Sequence, residues 1–265
     1  MRVAPDQSIE SRIPYVSAPY APALLNDFAS HVEEAVRVMS GGALITVGNR
    51  SFTEKKVILT DPGFFSMFSF ELIQGTRQDA LNEPGDVVLT ESTARKYFGN
   101  ENALGKVLRV DNETDFRVSG IIEDAPKNSS LKFDIIGPLQ NYSQAPWFNE
   151  WTSNTLLTYV RLDKPESRQH LEKNFPQFVQ KYMGHEMLTS GYKFDLALTP
   201  LTDIYFEPSL PFDPVKHGDR KVVFIFLTIA ILILLIACIN FMNLSTIRAL
   251  ERSKEVGIRK TMGAF

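Results

Sequence analysis

Catalysis needs a nucleophile, a base or a metal ligand placed beside a partner, and this chain holds few residues able to fill those roles. Its four histidines, His31, His170, His185 and His217, are far apart in sequence. None belongs to an H-x-x-x-H or H-E-x-x-H pattern, the spacing that sets two imidazoles on one helical face for a metal. His185 and Glu186 read as a surface pair near a helix end. The one cysteine, Cys238, lies in an uncharged apolar run, and no Gly-x-Ser-x-Gly elbow or phosphate-cradling Gly-x-x-x-x-Gly-Lys loop is present. The reading therefore expects no catalytic residue, no metal and no cofactor. The polar residues whose spacing does carry information are near the C-terminus. Arg248, Arg252 and Arg259 fall within a narrow sector at about 100° per helical residue, and Glu255 can pair with Arg259 at i, i+4. Gly257 is expected to end or bend that helix. Asn240 and Asn243, one turn apart, suit either a hydrogen bond to a neighbouring helix or the lipid headgroups.

The element that must position these groups is the stretch Val222 to Ile239, VVFIFLTIAILILLIACI, which contains no charge. At about 1.5 Å per residue, some 20 apolar residues match a hydrocarbon core of about 30 Å. Only a helix lets such a segment satisfy its own backbone in lipid, so the reading places one span between about Val222 and Ile247. Arg248, Arg252, Lys254, Arg259 and Lys260 follow it, against Lys216, Arg220 and Lys221 before it. The positive-inside rule then puts the tail in the cytoplasm and the long N-terminal region outside.

That outer region has ordinary globular composition, with 44% hydrophobic and 22% charged residues in the chain as a whole. A net charge of -3, without a basic run interleaved with aromatics, argues against nucleic acid. With Cys238 in the span, the outer region has no disulfide and relies on its core, which suits a bacterial periplasm. Asn112, Asn128 and Asn141 begin N-x-Ser/Thr triplets and are read as turn residues. Met1 to Ile9 lacks an apolar export segment, so a further membrane helix ahead of Met1 is expected.

Along the chain, Met1 to Pro22 is expected to form only short extended pieces. Pro22 opens a helix with Leu24, Leu25 and Phe28 at helical spacing, and Val36 and Val38 alternate as in a strand. Leu44–Val47 and Lys56–Leu59 read as strands joined through Gly48-Asn49. The four phenylalanines between Phe64 and Phe70 are read as a core anchor in preference to a ligand pocket. Asp86–Thr90 is a strand, Thr90 caps a helix from Glu91 to Phe98, and Gly99 ends it with a left-handed residue. Leu108 and Val110, then Phe116, Val118 and Ile122, predict an antiparallel pair around Asp111-Asn112-Glu113. A subdomain boundary is placed near Asn141 to Trp151. Beyond it come a strand over Thr155 to Leu162, a helix over Pro165 to Met183 kinked or divided at Pro176, and a last strand over Tyr192 to Leu198. The class is α+β, with no internal repeat.

The tail from Asn240, and above all Arg252-Ser-Lys-Glu-Val-Gly-Ile-Arg-Lys-Thr-Met-Gly-Ala264, resembles the sequence that follows the second membrane helix in MacB/FtsX-type ABC transporter permeases. Asp61-Pro-Gly-Phe-Phe, Val88-Leu-Thr-Glu-Ser with Lys96-Tyr-Phe-Gly99, and Phe116-Arg-Val-Ser-Gly-Ile-Ile-Glu-Asp-Ala-Pro126 resemble the periplasmic core domain of the same family. The resemblance implies a periplasmic domain in two parts. Residues 1–54 and 155–219 would form a porter-like subdomain, 55–154 an inserted β-rich Sabre-like subdomain, 220–247 the membrane helix and 248–265 a cytoplasmic coupling segment. Further membrane helices, one before the periplasmic domain and at least two after the tail, are implied as well.

It also implies a bacterial inner-membrane permease subunit that transmits ATP-driven motion, with the bilayer, an ABC ATPase subunit, a second permease copy or paired permease, and a periplasmic protein as partners. Arg252, Glu255, Gly257, Arg259, Lys260 and Gly263 would then contact the ATPase, and Asn240 and Asn243 would pack the membrane helices. Taken alone, the tail cations read better as an anchor in anionic headgroups; it is the resemblance that favours the coupling role. A membrane-anchored signalling or scaffold ectodomain that recruits a periplasmic partner is the competing reading.

Overall fold

The computed structural model describes residues 2–3, 9–208, 210–213 and 217–263. In chain order its elements are β1 (Arg2–Val3), β2 (Ile9–Ser11), α1 (Tyr20–Asp27), β3 (Val32–Val47), β4 (Arg50–Thr60), α2 (Phe64–Met67), β5 (Leu72–Gln74), β6 (Asp86–Thr90) and α3 (Glu91–Phe98). There follow β7 (Val107–Val110), β8 (Thr114–Ile122), β9 (Ile135–Pro138), β10 (Leu157–Leu162), α4 (Ser167–Ser190), β11 (Lys193–Phe194) and α5 (Arg220–Thr261). Residues 1–202 with 209–216 form one unit, and 203–208 with 217–265 a second. The class is α+β, as expected from the sequence.

In the first unit, the hairpin of β3 and β4 is the spine. Gly48 takes φ +58 at the turn, a conformation that a side chain would strain, and the two strands pair from Val47↔Arg50 down to Val38↔Thr60. The two separate segments read around Val36 and Leu44 are thus one strand. A bulge between Gly41 and Ala43 lets it continue while changing the face it presents. Before the bulge, Val36 and Val38 enter one core; after it, Ile45 enters another. Gly42 is required there, because a Cβ would lie 2.7 Å from the Glu54 carbonyl oxygen.

The pairings then run β3–β4, β4–β9, β9–β6, β6–β8, β8–β7 and back from β7 to β3. Six strands therefore close on themselves, which removes sheet edges from that part of the fold. Alternation along the strands divides their side chains as a pleat requires. Val87 and Leu89 of β6 and Ile135 of β9 pack with Tyr97 of α3, whereas Val88 and Ile136 turn to the opposite core with Phe64 and Phe65. The phenylalanine cluster is a core anchor, as expected: Phe64 and Phe65 are buried, and Phe70 meets Phe133 edge-on at 4.9 Å. β10 extends the sheet beyond β3, and β5 beyond β8.

A third core joins α1 to α4. Tyr20, Leu24 and Phe28 meet Leu171, Phe175, Phe178, Val179 and Met183, with Val32 at the start of β3 and Val160 of β10 below. Helix α1 starts at Tyr20, two residues before Pro22, because a first-turn residue has no helical acceptor for its N–H and proline loses nothing there. Helix α4 is not divided at Pro176 and runs on past Met183 to Ser190, where Gly191 at φ +75 stops it. The expected last strand shrinks to Lys193–Phe194, paired with β1. Phe194, Leu196 and Leu198 still pack on the α1/α4 core, so the alternation marked a face without a strand to pair it. Asp86–Thr90, the Thr90 cap and the β7/β8 pair are found as read, with Thr93 N–H reaching Thr90 Oγ1 at 3.4 Å. Gly99 has φ +66 but ψ -125, outside the left-handed helical region expected for it.

Candidate functional site

The sequence motifs of the outer region are structural. Asp61, which opens the D-P-G-F-F run, accepts from the Arg37 backbone N–H at 2.9 Å and from its guanidinium at 2.7 and 2.9 Å. Arg37 also lies over the Phe148 ring at 5.1 Å. Asp86 is buried and receives Arg117 at 2.8 Å across the β6/β8 pair. Glu54, also buried, accepts from Lys96 at 2.6 Å and from the Tyr97 hydroxyl at 2.8 Å, which satisfies the charge between barrel and helix.

In the second unit, α5 is one uninterrupted helix of 42 residues. Asp219 caps it by accepting from the Lys221 N–H at 2.7 Å, a negative group at the positive helix end. At about 1.5 Å per residue such a helix is roughly 63 Å long, about twice a hydrocarbon core. Between Lys221 and Arg248 it carries no charge. The two threonine hydroxyls inside that run are satisfied within the helix: Thr228 donates to the Phe224 carbonyl and Thr246 to that of Met242, both at 2.8 Å. Asn240 and Asn243 project on one side and make no side-chain hydrogen bond among the described residues, so their bonding capacity is left for lipid headgroups or another helix.

Past Arg248 the helix continues to Thr261, so Gly257 neither ends nor breaks it; Met262 caps it and Gly263, at φ +81, comes next. A glycine inside a helix costs only about 1 kcal/mol relative to alanine, too little to stop one flanked by good helix formers. Arg248, Arg252, Glu255 and Arg259 fall in a sector of roughly 60°. Glu255 and Arg259 pair at 2.7 Å with both side chains well exposed. An exposed pair of this kind adds little stability, so what it provides is an organised polar surface. Lys260 lies about 100° from Arg259 and Gly257 on the opposite side, so the six expected coupling residues do not form one patch.

One juxtaposition was not legible in sequence. His31, between α1 and β3, and His170, in the first turn of α4, bring their rings to 4.4 Å. They line one end of a cleft of about 470 Å³ between the two helices. No spacing rule finds such a pair, because 138 intervening residues fold between them. Among the described residues, no group of three or more His, Cys, Asp or Glu side chains converges on a metal position.

Comparison with known proteins agrees with this architecture. A family model described as the MacB-like periplasmic core domain matches residues 1–178. A macrolide export ATP-binding/permease protein MacB from Aggregatibacter actinomycetemcomitans is 25% identical over 245 residues, covering 89% of this chain and 34% of that protein. A second MacB, from Mannheimia succiniciproducens, is 23% identical over 247 residues with the same coverages. The chain thus spans about a third of the length of these relatives. Among solved structures, a domain assigned to a permease protein of Porphyromonas gingivalis superimposes with a TM-score of 0.64 at 28% identity, covering 81% of this chain and 86% of that one.

Proposed function

The chain belongs to the MacB-like periplasmic core domain family, and from that premise we propose that it is part of a permease subunit of a MacB/FtsX-type ABC transporter. In this reading the subunit sits in a bacterial inner membrane, with the residues before α5 in the periplasm and the segment 248–265 in the cytoplasm. The periplasmic part divides into a porter-like subdomain, 1–54 with 155–219, and a Sabre-like insert, 55–154. The separate α1/α4 core and the closed six-stranded region support that division, and the β3/β4 hairpin serves both. A second permease copy or paired permease and a periplasmic protein are the expected further partners.

The observation that carries the proposal is the continuity of α5 from a charge-free span into a charged tail without a break. In this reading, work done through this chain is driven by an ABC ATPase, expected on a separate subunit. A helix that is rigid through the membrane can report the state of such a partner only if its cytoplasmic end binds the partner's two states with different free energy. Arg252, Glu255 and Arg259 are the docking groups, with Lys260 at the rim; Gly257 faces away from them and Gly263 lies beyond the helix end. Replacing Glu255→Gln and Arg259→Gln together in the full-length permease is expected to leave membrane insertion intact. ATPase stimulation by the assembled complex should fall about fivefold or more, the scale of a coupling free energy of 1 kcal/mol. If the double variant couples as well as the parent, the tail is a membrane anchor and no more.

A further inference from the structure

We propose that the short helical turn Ile204–Phe206, strapped to the start of α5, is an interfacial anchor that docks on the lipid headgroup layer at the outer end of the span; the proposal rests on the reading that α5 crosses the membrane. The turn closes on Asp203, whose carbonyl accepts from the N–H groups of Phe206 at 2.9 Å and Glu207 at 3.1 Å. Three contacts fasten it to α5 and the residues just ahead. The Gly218 N–H donates to the Tyr205 carbonyl at 2.8 Å. The Tyr205 ring lies over Gly218, so closely that a Cβ there would overlap it. The Arg220 guanidinium sits over the Phe206 ring at 5.4 Å, and the Tyr205 and Phe206 rings meet edge to face at 4.9 Å. Tyr205 nevertheless remains 54% exposed. A phenol fixed in this way and left half uncovered is not a core residue, and a ring with one apolar and one polar end suits a membrane boundary.

Distance along the chain sets the turn at that boundary. The charge-free run begins at Val222, and the turn is fastened two to four residues earlier, at Gly218 and Arg220. At about 1.5 Å per helical residue this is about 3–6 Å outside the hydrocarbon, within a headgroup layer about 5–7 Å thick on each face. Counting about 20 residues inward from Val222 reaches Phe241, so the same setting brings Asn240 and Asn243 to the inner boundary. The charges fit a headgroup layer as well. Arg220 and Lys221 are exposed and can meet phosphate oxygens, while Asp203, Glu207 and Asp219 carry the opposite sign on the same few residues. Such a mixture matches a zwitterionic surface of phosphates and ammonium groups better than a purely anionic one. Docked there, the turn fixes the depth at which α5 enters the bilayer.

The test uses the full chain in vesicles of phosphatidylethanolamine and phosphatidylglycerol, doped with a phospholipid that carries a nitroxide either on its headgroup or deep in its acyl chains. Tyr205→Trp keeps an aromatic ring in place and adds one fluorophore to Trp147 and Trp151, whose signal in the parent is subtracted. The added fluorescence is expected to be quenched about twofold or more strongly by the headgroup nitroxide than by the deep one. Leu232→Trp, ten residues beyond Val222 in the span, should show the reverse order. If Leu232→Trp does so but the Tyr205→Trp signal is quenched by neither lipid, or no more by the headgroup nitroxide than by the deep one, the anchor is overturned and the span stands. Failure of the deep nitroxide to quench Leu232→Trp overturns the span, and the anchor with it.

Discussion

Buried phenols give this domain its clearest residue-level signature. The Tyr20 hydroxyl lies in the α1/α4 core, 3.0 Å from the Met183 sulfur, and burial pushes its ionisation up to about 12. Tyr159 on β10 is pushed up to about 12 too, by burial first and then by Asp213 and Tyr15. Tyr97 is raised as well, by burial and then by its bond to the Glu54 carboxylate. An unfolded tyrosine ionises near 10. The folded state therefore keeps its protons where the unfolded chain loses them, so the stability these groups contribute is fully present below about pH 10 and is lost as pH rises toward 12. Absorbance at 295 nm should show Tyr20 and Tyr159 ionising near pH 12, with unfolding midpoints falling above pH 10. Tyr20→Phe should remove one late-titrating phenol. All tyrosines ionising together near pH 10 in the folded chain would contradict this account.

At the scale of elements, α4 shows one local preference overruled by packing. Pro176 withdraws a donor and crowds the carbonyl of Glu172, at a cost of about 3 kcal/mol relative to alanine in a helix interior. Leu171, Phe175, Phe178, Val179 and Met183 are all buried on the other side of the balance. At about 1.5–3 kcal/mol for each such side chain, burial exceeds the proline penalty, and the helix stays whole. Pro176→Ala is accordingly expected to stabilise the fold by about 2 kcal/mol, the proline cost less the entropy it removes from the unfolded chain. Denaturant titration followed by tryptophan fluorescence would read this, since Trp151 stacks on Tyr182 of α4 at 4.5 Å. A lowered midpoint would mean that the proline shapes the helix to fit α1.

For the whole molecule, the proposed orientation predicts which surfaces an impermeant reagent reaches. In a Cys238→Ala background, a thiol at Glu113, in the exposed β7/β8 turn, should be labelled from outside intact cells, and one at Lys260 only after permeabilisation. The reverse pattern would invert the topology. Glu113 suits the experiment better than Asn112, whose φ of +60 favours the residue already there. The long apolar helix, the α+β class, the phenylalanine anchor, the Thr90 cap and the β7/β8 pair were legible in sequence, because each depends on local spacing: an uncharged run, a 3.6 or 2.0 period, a capping hydroxyl. β5 and β9 went unread because each is too short to show a period, and β9 is recognisable only by its pairing, parallel to β4 and antiparallel to β6. The His31–His170 meeting and the closure of six strands were likewise out of reach. They arise from pairings between segments distant in sequence, and no local pattern encodes which distant segment a strand or ring will meet. Composition and spacing determined what each segment could become; only the tertiary structure decided which segments came together, because burial rewards contacts without regard to their separation along the chain.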